Sequence, residues 1–264
     1  MLRVRPIHFT SRLDQWERLL TDLGLVKTVD DATWREFDAG AGRLALHFAE
    51  AGAADDGVTS FGVEVGDLAE FARRTAESGG TGPDSTSGTR AEVIDADHGS
   101  TCRVTGADGF SFLADPAARA ADGGWGGAPD ADPELAVVGV WFATDPALAA
   151  RTLRDIGARP RPVPGAAGAD PGEAESFAAK NGGILMIGAA AGAAAESAGK
   201  GSAGLGFEYT GDLEALHRRL ADAGHEVALV TDSAVPLLHV GNPDAGGRAA
   251  HPHALWISAA PAAG

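Results

Sequence analysis

The chain has 264 residues, of which 44% are hydrophobic and 22% are charged, so it can form a packed core and is not globally disordered. Its net charge of -16 argues against nucleic acid or an anionic membrane surface as a partner, and it is compatible with a cationic ligand. Cys102 is the only cysteine, which excludes an intramolecular disulfide and a zinc site built from cysteines. The sequence shows no signal peptide and no apolar run that could span a bilayer, so we expect a cytoplasmic protein.

The first quarter of the chain is predicted to form a strand, a helix and two further strands. The helix has apolar residues at helical spacing and ends at Gly24, a typical C-terminal cap. A glycine-rich turn at residues 39–42 joins the last two strands. The three strands are predicted at residues 4–10, 33–38 and 43–49.

The second quarter repeats this pattern, beginning near Ser60. Asp67 is a typical helix N-cap, and Glu70 three residues later completes a variant capping box. Asp108-Gly109 predicts a tight hairpin turn. Strands are predicted at residues 91–94, 100–105 and 110–114.

Residues 117–134 are rich in Ala, Gly, Asp and Pro and lack periodicity, which predicts an interdomain linker that includes Trp125. After it, Asp145-Pro146 supplies an N-cap followed by proline at the first helical position. Residues 189–204 predict a mobile connector. Strands are predicted at residues 137–143, 176–179, 184–187, 205–209, 226–230, 236–240 and 254–258.

The chain also contains an internal repeat. Residues 66–80 and 211–225 share Gly, Asp, Leu, Arg-Arg, Ala and Gly at the same offsets, 145 residues apart, and each stretch follows a similar strand. The prediction is an α+β fold made of four β-α-β-β-β modules. Because the helices cover one face of each sheet, the other face must bury another sheet or a ligand.

These modules resemble the vicinal oxygen chelate superfamily, which includes glyoxalases, extradiol dioxygenases, fosfomycin-modifying enzymes and bleomycin-resistance binding proteins. The resemblance is carried by Thr144-Asp145-Pro146 with its helix ending at Gly157, by Phe9-Thr10-Ser11, and by residues 61–68 with Ala107-Asp108-Gly109-Phe110. It implies two tandem glyoxalase/bleomycin-resistance-like domains, residues 1–116 and 135–264, joined by residues 117–134.

The superfamily's enzymes place a His early in the first strand of a module and a Glu in the last strand, where both bind a metal ion. By register, the equivalent residues are Val4, Ser60, Val137, Leu205, Ala45, Phe112-Leu113 and Ile257-Ser258. None of these is a His or a carboxylate, so we expect no cofactor. The alternative is a divalent metal ion held by displaced ligands, for which the strongest candidates are His239, His251 and His253.

Aromatic residues on predicted strands suit an apolar cleft that stacks a flat ligand. The candidate ligand-binding residues are His8, Trp34, Phe48, Phe110, Phe112, Trp141, Tyr209 and Trp256. The competing interpretation for each aromatic residue is a place in the core. His8 is expected on the same strand face as Val4, toward the cavity.

Three functions follow from these residues. The first is a metal-free protein that sequesters an amphipathic or aromatic small molecule, with an antibiotic as one candidate, and that is a monomer or homodimer. The second is a metal-dependent lyase, isomerase or dioxygenase using displaced histidines, including His47. The third is a metal-free enzyme in which His8 moves a proton. The chain lacks the Gly-x-Ser-x-Gly and phosphate-loop motifs of other enzyme classes.

Overall fold

The computed structural model describes residues 1–80, 88–96, 99–118, 127–161, 176–189, 202–231, 235–245 and 254–260. We refer to the described residues up to 118 as the N-terminal half and to those from 127 onward as the C-terminal half. No helix in these ranges is both long and apolar enough to cross a membrane.

The N-terminal half contains two helices and ten strands within its described residues. They are β1 (Leu2–Val4), β2 (Ile7–Thr10), α1 (Leu13–Asp22), β3 (Val26–Asp30), β4 (Trp34–Asp38), β5 (Arg43–Phe48), β6 (Thr59–Ser60), β7 (Gly62–Val65), α2 (Leu68–Ser78), β8 (Arg90–Ala96), β9 (Gly99–Thr105) and β10 (Ser111–Pro116). The strand order is β3-β4-β5-β2-β6 in one sheet and β1-β7-β10-β9-β8 in the other. The single strand predicted at residues 4–10 is therefore two strands. Pro6 lies between them and has no N–H for a ladder hydrogen bond.

The C-terminal half forms one eight-stranded sheet. Its elements are β11 (Leu135–Ala143), α3 (Pro146–Asp155), β12 (Arg159–Arg161), β13 (Ser176–Ala178), β14 (Ile184–Ala189), β15 (Ser202–Tyr209), α4 (Leu213–Asp222), β16 (Val227–Val230), β17 (Leu237–Gly241) and β18 (Ala254–Ala259). The order is β12-β13-β14-β11-β15-β18-β17-β16. If β1 with β2 and β6 with β7 are read as interrupted single strands, the N-terminal half has the same order. The α+β class is confirmed.

Three predicted helix starts are confirmed by side-chain caps. The carboxylate of Asp67 accepts a hydrogen bond from Glu70 N at 2.9 Å, and that of Asp145 accepts one from Leu148 N at 3.1 Å. Asp212 caps α4 in the same way. Two short strands, β3 and β12, were not predicted, because they are short edge strands without a buried alternating face.

One apolar core crosses both halves and includes Trp16, Phe61 and Trp141. At the junction, a Cβ atom on Gly183 would overlap Val4, so the two backbones lie very close together. The C-terminal end of the predicted linker packs on the N-terminal half, where Asp132 N donates to Gly24 O at 2.9 Å. The division at residues 117–134 stays a prediction, and Trp125 lies outside the described residues.

Candidate functional site

The N-terminal half holds a cavity of about 560 Å³ between β4 and β5 on one side and β10 on the other. Its lining residues alternate along their strands, as the two-residue period of a strand requires. They are Arg5, Ile7, Phe9, Trp34, Glu36, His47, Leu113, Asp115 and Pro116. We call this cavity the first cavity.

Aromatic rings form one wall of the first cavity. The ring of His47 lies 5.2 Å from that of Phe9 and 5.7 Å from that of Trp34. The guanidinium of Arg5 lies 5.4 Å from the centroid of the Trp34 ring, which is a cation–π contact. Trp34 Nε1 also donates a hydrogen bond to Glu36 Oε1 at 3.2 Å. The indole is therefore held in place from its face and its edge.

Charged side chains lie beneath this wall, and three of them, Arg5, Glu36 and Asp115, line the first cavity as its floor. We call the whole set the arginine–carboxylate network: Arg3, Arg5, Arg43, Glu36, Asp38, Glu64 and Asp115, all buried. Arg43 Nε donates to Asp38 Oδ1 at 2.6 Å, and its Nη1 donates to Glu36 Oε2 at 2.8 Å. Arg3 Nε donates to Glu64 Oε2 at 2.7 Å. Such charge-assisted bonds are among the stronger hydrogen bonds in proteins, so they fix the floor.

Arg5 connects the network to the first cavity. Its Nη1 donates to Glu36 Oε1 at 2.8 Å, and its Nη2 donates to Asp115 Oδ2. Thr101 Oγ1 donates to the other oxygen of Asp115 at 2.6 Å. Both Nη atoms of Arg5 thus already have carboxylate partners.

The pKa of Arg43 reflects the same balance. Burial by itself lowers this pKa, but the hydrogen bond to Asp38 and the charges of Glu64, Asp38 and Glu36 outweigh burial and raise the pKa above its usual value. Arg43 is therefore a permanent positive charge that holds three carboxylates together.

A second cavity of about 450 Å³ adjoins the first. The two cavities share the lining residues Ile7, Phe9, Leu113 and Asp115. The remaining lining residues are mainly apolar: Val58, Thr59, Ser60, Phe61, Gly62, Phe110, Ser111, Phe112 and Ala203. Ala203 belongs to the C-terminal half, so this second cavity lies at the junction of the halves.

The corresponding face of the C-terminal half carries fewer charges: Glu208 is present and pairs with Arg161 at 2.7 Å, but residues equivalent to Arg3 and Arg5 are apolar. In the strand register, Glu64 on β7 lies opposite Arg3, whereas its equivalent Glu208 on β15 lies opposite Ala136. At the position equivalent to Arg5 stands Val138, which pairs with Gly206. An apolar cluster of Val138, Val140 and Ile184 with Ala136, Phe142, Met186 and Trp256 covers this face.

Two aromatic rings fill the space above the glycines of the C-terminal sheet. A Cβ atom on Gly204 would meet Phe142 at 2.9 Å, and one on Gly188 would meet it at 3.0 Å. A Cβ atom on Gly206 would overlap the indole of Trp256. The protein's own side chains thus occupy the face that is open in the N-terminal half.

Gly206→Ala is expected to lower the free energy of unfolding by about 1–3 kcal/mol, because the added methyl overpacks the Trp256 ring. Chemical denaturation measures this loss. Gly139→Ala is the matched control, since its nearest neighbour would lie at 3.5 Å, an ordinary contact. Trp256→Leu in the Gly206→Ala background should restore part of the loss. Equal stability of the two glycine variants would contradict this packing.

The predicted ligand-binding aromatics lie in different places. Trp34 lines the first cavity, and Phe110 and Phe112 line the second. Trp141 is fully buried with its ring 4.5 Å from that of Phe110, and Phe48 is 37% exposed at the surface. Tyr209 and Trp256 line neither cavity. The Tyr209 hydroxyl donates to Glu134 at 3.2 Å, and Trp256 packs in the C-terminal apolar cluster.

His8 was expected to face the cavity. It lies instead on the opposite side of β2 from Ile7 and Phe9. Its Nε2 lies 2.7 Å from Asp244 Oδ2, and its ring centroid lies 4.3 Å from that of Trp16. Asp244 belongs to the loop after β17, so His8 contributes to the contact between the halves. Its expected proton transfer to a ligand in the cleft has no geometric basis here.

The residue taken from the sequence as the first cleft position, Val4, does not face the cavity. Val4 is buried in the core, and its neighbours Arg3 and Arg5 belong to the network instead. The network was not predicted, because only His and Glu positions were considered as metal-binding residues. The alternation of charged and apolar residues at 3–5 and 36–38 is its sequence signal. Burial raises the pKa of Cys102 to about 11, so this thiol stays protonated at neutral pH.

Of the three proposed histidine ligands, His239 alone lies within the described residues. His239 lies on β17, paired with Trp256 on β18, and His251 and His253 lie outside the described residues. Within the described ranges, no group of three or more His, Cys, Asp or Glu side chains could hold a metal ion.

No protein-family profile matches the chain, and no curated protein sequence matches it. Solved structures match nearly its whole length. A 2,3-dioxygenase from Pseudomonas sp. KL28 is 13% identical with a TM-score of 0.58, covering 98% of this chain and 91% of that chain. A Mn(II)-bound glyoxalase from Novosphingobium aromaticivorans is 13% identical with a TM-score of 0.57, and the match covers 97% of this chain and 80% of that chain. A catechol 2,3-dioxygenase is 15% identical with a TM-score of 0.56, and the match covers 99% of this chain and 89% of that chain.

The expectation of no cofactor is corrected by this comparison. One matched structure is Mn(II)-bound, which points to a divalent metal ion as a group that this fold holds. The described residues of this chain do not fit such an ion in the cleft, because its carboxylates are already paired with arginines. No chemical step is therefore assigned to a metal ion.

At 13–15% identity, the matches establish the fold and leave the activity open. The chain therefore shares the fold of these dioxygenase and glyoxalase structures.

Proposed function

We propose that this protein binds and sequesters an aromatic or amphipathic small molecule in the first cavity, as a binding protein of the glyoxalase/bleomycin-resistance type. The observation that carries the proposal is a cavity of about 560 Å³ with an aromatic wall and a fixed charged floor. Ligand sites typically measure about 300–1,000 Å³ and combine apolar walls with a few placed polar groups. An antibiotic is one candidate ligand.

The cavity is suited to binding because its parts are already held in place. Trp34 is fixed by Glu36 and by the guanidinium of Arg5, so little side-chain freedom is lost when a ligand stacks on it. Ile7, Phe9 and Leu113 supply half-buried apolar surface around that ring. A flat or amphipathic molecule therefore gains apolar contact without reorganising the floor.

The Mn(II)-bound glyoxalase among the matched structures motivates one alternative: a metal-dependent lyase, isomerase or dioxygenase with displaced histidine ligands. Elemental analysis of the purified protein tests that alternative. It is repeated on two variants, one that lacks the His239 side chain and one that lacks those of both His251 and His253. The binding proposal rests on the cavity walls and holds with or without an ion.

The proposal also covers the partner, the location and the oligomeric state of the protein. With a net charge of -16, we expect a small molecule as partner and neither nucleic acid nor an anionic membrane surface. We place the protein in the cytoplasm, as a monomer or homodimer.

Trp34→Ala is expected to weaken ligand binding by about 10- to 100-fold, because stacking and apolar burial on an indole together contribute about 1.4–2.8 kcal/mol. The measurement is titration of a panel of aromatic and amphipathic compounds, followed by tryptophan fluorescence and calorimetry. Phe48→Ala is the matched control, because Phe48 is an exposed aromatic at the end of β5, next to His47 in sequence but outside the cavity lining. It should bind as the wild type does.

Two outcomes count against the proposal. If no compound in the panel changes the fluorescence or releases heat, the cavity is not a binding site for this class. If Phe48→Ala weakens binding as much as Trp34→Ala, the ligand lies elsewhere.

A further inference from the structure

We propose that the ligand is a cationic amphiphile, with its head in the first cavity and its apolar tail in the second. This inference rests on the proposed function and names the ligand class for the same site. It is carried by two features: the charges that border the first cavity, and the apolar second cavity that shares four lining residues with it.

The head position is defined by charge and by aromatic rings. Glu36 and Asp115 border the first cavity with one guanidinium, that of Arg5, so the bordering charged groups sum to two negative charges and one positive charge. Phe9, Trp34 and His47 present rings to the same space. A quaternary ammonium group binds to aromatic faces and nearby negative charge without direct ligands. The pairing of Glu36 and Asp115 with arginines, which leaves no ligand for a metal ion, therefore still permits this group.

An anionic head fits this position less well. Arg5 is the only positively charged residue among the lining residues of the first cavity, and both of its Nη atoms already donate to carboxylates, those of Glu36 and Asp115. A ligand carboxylate or phosphate would have to displace one of them and leave it buried near another negative charge. The net charge of -16 adds attraction for cations and repulsion for anions at long range.

The tail position is defined by the second cavity. Of the four residues that the two cavities share, Ile7, Phe9 and Leu113 are apolar and the fourth is Asp115. A hydrocarbon chain that passes along the three apolar residues keeps apolar contact. Beyond them the chain meets Val58 and Phe61. Each methylene moved from water into such surroundings contributes enough for about a two- to fourfold gain in affinity.

The tail also connects the two halves of the protein. Ala203 on β15 belongs to the wall of the second cavity, and the rings of Phe61 and Phe110 in that wall pack on Trp141 of the C-terminal half. A ligand that reaches the second cavity therefore contacts both halves, and its stabilisation of the chain against heat should rise with its affinity across a chain-length series.

The test is calorimetric titration of the full chain with n-alkyltrimethylammonium salts of four to ten carbons, kept below their micelle concentrations. We expect affinity to rise about two- to fourfold per methylene over this range. At fixed chain length, we expect the trimethylammonium compound to bind at least tenfold more tightly than the neutral tert-butyl isostere, and the alkyl sulfate to bind least.

Val58→Gln tests the tail position. Val58 is 39% exposed and lines the second cavity, so the substitution places a polar group beside the tail without opening the core. Val93→Gln is the matched control, since Val93 is 46% exposed on β8, outside both cavity linings. Val58→Gln should reduce the affinity ratio of the ten-carbon to the four-carbon compound at least fivefold, and Val93→Gln should leave it unchanged.

Glu36→Gln tests the head position and is checked by thermal unfolding, because Glu36 also pairs with Arg5 and Arg43. It should reduce the preference for the cation over its neutral isostere. If it does not fold, the comparison of cation, isostere and sulfate on the wild type still decides the head chemistry.

The inference is overturned if affinity is independent of chain length, if Val58→Gln and Val93→Gln behave alike, or if the neutral or anionic compounds bind as tightly as the cation. Short aromatic compounds that bind in a Trp34-dependent way under those results would leave the proposed function standing. Failure of every compound, short aromatic ones included, would instead remove the proposed function itself.

Discussion

Replacing Arg43 by leucine is expected to lower the free energy of unfolding by about 3–5 kcal/mol, the usual cost of removing one partner from a buried ion pair. Arg43 is 8% exposed and donates to both Glu36 and Asp38, with Glu64 at 3.3 Å. Leucine fills part of the space but leaves these carboxylates without that guanidinium. Urea or guanidinium denaturation of the purified variant measures the change.

Arg73→Leu provides the matched control for this prediction. Arg73 also pairs with two carboxylates, Glu70 and Glu77, but it lies exposed on α2, where water screens the interaction. Its loss should change stability little. If Arg43→Leu were as stable as Arg73→Leu, the buried network would not be holding the floor of the cavity.

Asp244→Ala is expected to lower the free energy of unfolding by about 2–4 kcal/mol, because it leaves buried donors without an acceptor. Asp244 Oδ2 accepts hydrogen bonds from His8 Nε2 and Trp16 Nε1, each at 2.7 Å, and its Oδ1 accepts one from Thr10 Oγ1 at 2.6 Å. All three donors belong to the N-terminal half. Chemical denaturation should also show reduced cooperativity, since the variant weakens the junction of the halves.

The same residue has a pH signature. Burial by itself raises the pKa of Asp244, but the hydrogen bonds from His8, Thr10 and Trp16 outweigh burial and lower the pKa below its usual value. A carboxylate with a lowered folded-state pKa contributes stability above its unfolded-state pKa of about 3.9, and this contribution is lost as the pH falls through the folded-state pKa. The stability difference between wild type and Asp244→Ala should therefore shrink below about pH 4.

Asp22→Ala is the control for this junction. Asp22 also accepts from a histidine of the other half, His225, at 2.7 Å, but its side chain is 31% exposed. Its other ion pair, with Arg18 at 3.9 Å, lies within α1. Asp22→Ala should lower the free energy of unfolding clearly less than Asp244→Ala does. A pH-independent difference between wild type and Asp244→Ala would show that folding does not shift the pKa of Asp244, and it would contradict this prediction.

Local sequence rules predicted the elements well where the signal was itself local. Asp67 and Asp145 cap helices as predicted, since a cap depends on residues within one turn. Gly24 and Gly109 have positive φ angles of 95° and 87°, as the predicted cap and turn require. The edge strands β3 and β12 gave no such signal.

The candidate site was predicted less well, because it depends on which face each strand turns inward. A shift of one residue moves every side chain of a strand to the other face. Val4 was taken as the cleft position, whereas Arg3 and Arg5 contribute to the floor, and His8 was assigned to the cleft although it contacts Asp244. Trp34 was placed on a strand that does line the cavity.

The sequence alone determined the duplicated architecture, the helix boundaries and the lack of histidines at the family's ligand positions, because these are properties of neighbouring residues and of spacing. The tertiary structure alone decided that the N-terminal half is open above a charged floor while Phe142 and Trp256 fill the C-terminal half. The physical reason is that a strand's alternation defines two faces, and only packing against distant residues selects which face is buried and what fills it.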